Sequence, residues 1–207
     1  MDGMRPPRVP GKPVPVFTGE DLSRLERACA GRSFWQRRDA AVIAVFRATG
    51  SGCRSWRRSG MTTMTRGTAT STCSCGRSPS TARGTRPGPS RSSFGAARSL
   101  DRYLRARARH AQACRPQLWL AAGNRGPMTA SGIYQMITRR GRECGIDVFP
   151  HRFRHHFSHT WLDRGGPEGD LMELNGWSSP QMLRRYGASA RSARARRTYD
   201  RIMDDSP

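Results

Sequence analysis

Four residues in the last third of the chain could act together on a phosphodiester: His151, Arg154, Trp177 and Tyr186. His151 and Arg154 are three apart in a stretch with helical patterning, which puts them on one helix face. A phenol can attack phosphorus, a guanidinium can hold phosphate oxygens, and an imidazole can move a proton. A phosphodiester resists attack because its anionic oxygens repel a nucleophile, so cationic donors must surround it. Arginine suits that role through its planar fork and permanent charge. Phenol has a pKa near 10, so Tyr186 would lose its proton during attack rather than before it. Taken singly, each residue has a plainer role: a helix-start histidine, a basic helix, a core tryptophan and a surface tyrosine. Tyr199 is the rival nucleophile, weaker because it sits in a late basic helix away from the Gly176-Trp177 turn. His155, His156 and His159 read as structural or surface groups.

Together these residues resemble the signature of the tyrosine recombinase, or phage integrase, family. That signature runs His-x-x-Arg, then Gly-His or Gly-Trp, then a nucleophilic tyrosine about nine residues later. His155 after Arg154, the stretch Gly176-Trp177-Ser178-Ser179, and Gln181 to Tyr186 add to the likeness. It extends closely over residues 97–200 and more loosely over 16–50. The resemblance implies a mostly α fold, a helical bundle with a small antiparallel sheet that is degraded or absent here. It implies site-specific DNA recombination, integration or excision, by strand breaking and rejoining through a 3′-phosphotyrosyl intermediate. Tyr186 would be the nucleophile, Arg154 the second catalytic arginine on a non-bridging oxygen, and His151 the proton-transfer group. Trp177 would pack against the phosphate or donate to it. The covalent link retains the bond energy, so no ATP, metal or other cofactor is implied. Partners would be duplex DNA and further copies of the chain, as a tetramer on DNA.

Two parts of the family pattern are missing. The first catalytic arginine belongs two residues after Thr49-Gly50, where Gly52 stands; Arg54 is the nearest substitute, displaced by two. The general-acid lysine belongs in a β-hairpin, but the only lysine is Lys12. The expectation is therefore a recombinase chain of weak or no activity. The alternative is a non-catalytic basic DNA-binding remnant. The family's N-terminal core-binding domain is expected to be absent.

Composition sets the outer limits. The 207 residues suffice for one domain with a real core, or two small ones. Net charge is +22, from 37 basic and 15 acidic residues, which points to a polyanionic partner such as nucleic acid. Every basic residue except Lys12 is arginine, a bias that a GC-rich genome such as that of a bacterium, phage or mobile element also produces. No apolar run reaches a membrane span, the N-terminus has no apolar signal core, and no small-molecule substrate is implied. The six cysteines form no C-x-x-C pair and no zinc-spaced set with histidine, so reduced thiols in a cytoplasm are expected.

The chain divides into a flexible lead-in, 1–16, and an integrase-type catalytic domain, 17–207. Residues 51–93 interrupt the domain with no Val, Ile, Leu, Phe, Tyr, Asp or Glu. Three readings stand: a disordered basic linker, a nucleic-acid-binding arm, or an out-of-frame translation. Helices are expected from Thr18, over Asp39–Ala48, over Ala97–Ala111, over Thr129–Cys144 and over His151–Arg164. Gln117 to Leu120 reads as a short extended stretch. Phe153, Phe157 and Trp161 would form the core face of the His151 helix, with His151, Arg154, His155 and Ser158 off it. Further helices begin at Pro167, holding Leu171, Met172 and Leu174, and at Pro180, capped by Ser179. A last basic helix over 189–203 would pack through Tyr199 and Ile202.

Overall fold

A computed structural model describes residues 15–50, 94–187 and 191–204. Among these residues the fold is helical: α1 Gly19–Ala28, α2 Phe34–Thr49, α3 Phe94–Arg107, α4 Ala130–Glu143, α5 Pro150–Asp163, α6 Glu168–Asn175, α7 Pro180–Gly187 and α8 Arg191–Asp204. It contains no sheet among them, only one antiparallel bridge between Leu120 and Pro127. The interrupting segment 51–93, and with it the place where the family's sheet is expected, lies outside the described residues.

Local signals set most helix ends. Thr18 and Asp21 form a reciprocal capping box at α1, and Ser33 and Gln36 form another at α2. The second box explains why α2 starts before Asp39, the expected first residue. Thr129 caps α4, and Gly145 leaves it in the left-handed region at φ 67°. α3 stops at Arg107 rather than running to Ala111. The Arg107 guanidinium donates to the carbonyls of Ala113, Arg115, Gln117 and Leu118, folding the chain back on the helix end. Tyr103 completes that fold-back: its hydroxyl donates to Leu118 O at 2.8 Å and accepts from Leu120 N at 3.0 Å.

The main core joins Phe17, Leu25, Val42, Phe46, Tyr103, Ile137, Val148 and Phe153. Arg152 ties the start of the described chain to it. Its guanidinium lies over the Phe17 ring at 4.2 Å and donates to Pro15 O at 3.0 Å. A smaller cluster gathers Leu162, Leu171, Trp177 and Leu183 under α5, α6 and α7. A buried charge cluster locks α2 to α4. Asp39, fully buried, takes Arg38 Nε and Nη2 on one oxygen at 2.9 and 2.7 Å, and Arg140 Nε and Nη2 on the other at 3.0 and 2.8 Å.

Two expectations about packing need correction. On α5, His155 and Ser158 are buried together with Phe153, whereas Phe157 and Trp161 are only partly covered. The helix packs against α2 on one side and against α6, α7 and α8 on others, so its apolar stripe is one of several covered faces. On α8, Tyr199 and Ile202 are each 63% exposed. Ion pairs hold that helix instead: Arg197 to Asp163 and Arg194 to Glu168, both at 2.5 Å. Leu174 on α6 is exposed, whereas Leu171 is buried.

Candidate active site

Arg154 projects from α5, half-buried, between the ends of two other helices. Its Nε donates to Gly50 O at 3.0 Å, and its Nη2 lies 3.5 Å from Asn175 O. Both acceptors sit at helix C-termini closed by a left-handed glycine: Gly50 itself at φ 59° after α2, and Gly176 at φ 64° after α6. The C-terminal end of a helix carries partial negative charge, which favours a cation placed there. Among the described residues, Arg154 Nη1 meets no acceptor.

The turn after α6 brings in the tryptophan. Gly176 N donates to Glu173 O, and Trp177 N donates to Met172 O at 2.8 Å, which reverses the chain and drives the indole inward. Trp177 is 7% exposed, with the Arg154 guanidinium carbon 5.9 Å from its ring centroid. The tryptophan packs in the smaller cluster, the plainer of the roles the sequence offered, and it also neighbours Arg154.

His151 stands exposed in the first turn of α5, with its ring edge-on to buried His155 at 5.0 Å. α7 is opened by Ser179, whose Oγ accepts from Gln181 N at 3.2 Å, and by Pro180. This helix packs on α5 and carries the backbone of Tyr186. The side chain of Tyr186, and the whole of Arg54, lie outside the described residues.

Sequence spacing pointed to Arg154 and Trp177 but not to their anchors. Thr49-Gly50 was legible as a helix stop; that the glycine's carbonyl would meet Arg154 was not. Asn175 carried no signal. It is buried, and its side-chain amide donates to Leu171 O at 3.0 Å, bracing the end of α6. His156, read as structural, is half-buried beside Phe17 and Arg47. Desolvation first, then the positive charge of Arg47, pushes its pKa down to about 4. No group of three or more His, Cys, Asp or Glu is placed to hold a metal among the described residues. Among them, no helix is long and apolar enough to cross a membrane.

A helical bundle with an arginine set between two helix ends, a Gly-Trp turn beside it and a tyrosine-bearing helix next in order defines a tyrosine-recombinase catalytic-domain-like fold. Residues 91–192 match the model of the phage integrase family, a span that holds His151, Arg154, Trp177 and Tyr186 and leaves out Arg54. This part of the chain belongs to that family. The fold is similar to a crystal structure of XerA recombinase, with a TM-score of 0.63 and 18% sequence identity, over 100% of this chain and 68% of that one. Comparison with curated proteins gives no match.

Proposed function

We propose that this chain breaks and rejoins duplex DNA at specific sites through a 3′-phosphotyrosyl intermediate on Tyr186. The observation that supports it best is the setting of Arg154, pinned between the end of α2 and the turn that leads into the Tyr186 helix. The Tyr186 oxygen bonds to phosphorus as its proton leaves, and the bond from phosphorus to the 5′-oxygen breaks. Arg154 holds a non-bridging oxygen, whose charge grows in the transition state. His151, exposed on the same helix, moves the proton. Trp177 backs Arg154 and closes that side of the site to water. The 5′-hydroxyl of a partner strand then attacks the phosphorus, the bond to Tyr186 breaks and the proton passes back to the phenol oxygen, so the reaction needs no external energy source. The chain would work as a homotetramer on DNA, in a cytoplasm, as part of a mobile element.

A second reading, a basic DNA-binding remnant without catalysis, is favoured by Gly52 at the first arginine's place and by Lys12 as the only lysine. One experiment separates the two. The protein is incubated with nicked duplexes of randomised sequence, the mixture is denatured, and covalently held DNA is recovered and sequenced. An adduct that depends on Tyr186 and enriches particular sequences supports the recombinase. Salt-sensitive binding with no adduct supports the remnant.

A further inference from the structure

We propose that Gly50 is a positioning residue for Arg154, and that it makes the guanidinium take its phosphate end-on. The inference rests on the reading of Arg154 as the phosphate-holding group and deepens it. A guanidinium can offer an anion one of two edges: Nε with Nη2, or Nη1 with Nη2. Here the Gly50 carbonyl occupies Nε at 3.0 Å, so the first edge is blocked. Among the described residues, Nη2 has only the distant Asn175 carbonyl at 3.5 Å and Nη1 has no acceptor. The end formed by the two Nη groups is what remains for an anion.

Gly50 does this with the backbone and the space of a glycine. It is buried at φ 59°, a region that side chains disfavour. Its N–H closes α2 on Phe46 O at 2.9 Å, which turns its own carbonyl outward from the helix end. A Cβ added here would lie 2.8 Å from Phe157 Cβ and 2.9 Å from Phe157 Cγ and Cδ1. Phe157 stands on α5 one turn beyond Arg154. The same helix therefore grips Gly50 twice, by a ring against its Cα and by a guanidinium on its oxygen. Pushing Gly50 away from Phe157 would also pull its carbonyl from Arg154.

The test follows the side-chain Nε–H of Arg154 by nitrogen-15 NMR, with the signal assigned by its loss in Arg154→Lys. In the parent chain this proton should exchange with water slowly relative to exposed Arg142. Exchange as fast as that of Arg142 overturns the proposal, whatever the variants do. In Gly50→Ala, with helix content intact by circular dichroism, the slow exchange should be lost. Adding Phe157→Gly removes the Cβ, Cγ and Cδ1 that the new Cβ would meet and should restore it. Gly165→Ala is the control: its φ is 80° with nothing within 4 Å, so it strains the backbone without touching Arg154. Slow exchange that persists in Gly50→Ala also overturns the proposal. On trap DNA, Gly50→Ala should slow adduct formation while leaving DNA affinity unchanged, and the double variant should regain rate. A parent chain that shows the slow Nε–H but never forms an adduct leaves Gly50 as the anchor and defeats the recombinase reading instead.

Discussion

The carbonyl oxygen of Gly50 accepts the Nε–H of Arg154 across 104 residues of sequence, at 3.0 Å. This bond links the end of the first large core helix to the helix that carries His151. It also spans the segment 51–93, so the two halves of the chain are joined directly at the candidate site. Consequences for chemistry, binding and stability follow from this and neighbouring contacts.

Chemistry should depend on one phenolic oxygen. Tyr186→Phe is expected to abolish the denaturant-resistant DNA adduct while leaving DNA affinity nearly unchanged. Arg154→Ala should slow adduct formation 10²- to 10³-fold, because losing one preorganised transition-state contact costs about 3–4 kcal/mol. His151→Ala should cost about 10²-fold, as a general acid–base group does. Tyr199→Phe should be silent, since that side chain stands exposed on α8. Gel analysis of adducts after denaturation checks all four. An adduct that survives Tyr186→Phe and disappears with Tyr199→Phe would reverse the assignment.

Duplex binding should weaken steeply with salt. A net charge of +22 on 207 residues means that many phosphates are neutralised on contact, and each releases counterions. A plot of log affinity against log salt concentration should have a strongly negative slope. A flat plot, measured by fluorescence anisotropy, would contradict a phosphate-led interface.

Asp39 should be among the most sensitive positions for folding. It neutralises Arg38 and Arg140, whose side chains are each 6% exposed. Asp39→Asn keeps the shape but takes the carboxylate from buried Arg38 and leaves Arg140 to Glu143, a loss of roughly 3–5 kcal/mol by analogy with broken buried pairs. Urea denaturation should show a large fall in midpoint. A change no greater than that of a surface control such as Asp101→Asn would mean that water reaches the cluster.

Acid should destabilise the fold partly through His156. Its folded pKa, about 4, lies below its ordinary value of 6.5, so the fold favours the neutral ring. Above pH 6.5 neither state binds the proton, and His156 costs nothing. As pH falls from 6.5 toward 4 the unfolded chain takes the proton first, so stability drops; below 4 the cost levels off. Because the ring is only half-buried, the effect is on the order of 1–2 kcal/mol. Arg47, Arg152, Arg164 and His159 supply the surrounding positive charge. Melting temperature against pH should be flatter over this window in His156→Gln than in the parent; identical slopes would remove His156 from the account.

The amino-acid sequence by itself determined most helices and pointed to the candidate site. Capping pairs such as Thr18 with Asp21, the stop at Gly145 and Pro180 after Ser179 are local signals, read over three or four residues, so they survive without a fold. The His151, Arg154, Trp177 and Tyr186 spacing is equally local to the last third of the chain. Only the tertiary structure decided which neighbours complete the site. Gly50 and Asn175 act on Arg154 through main-chain carbonyls, and every residue has a carbonyl, so composition and periodicity cannot single them out. Burial on α5 was hidden for a related reason. Hydrophobic period identifies one covered face, but His155 and Ser158 are covered because several helices converge on α5. On α8 the reverse holds: Tyr199 and Ile202 have the spacing of a core face, yet Arg194 and Arg197 set the helix down on Glu168 and Asp163 and leave that face outward. Contacts between distant segments depend on how helices are arranged in space, and that arrangement is a property of the whole packed chain rather than of any window within it.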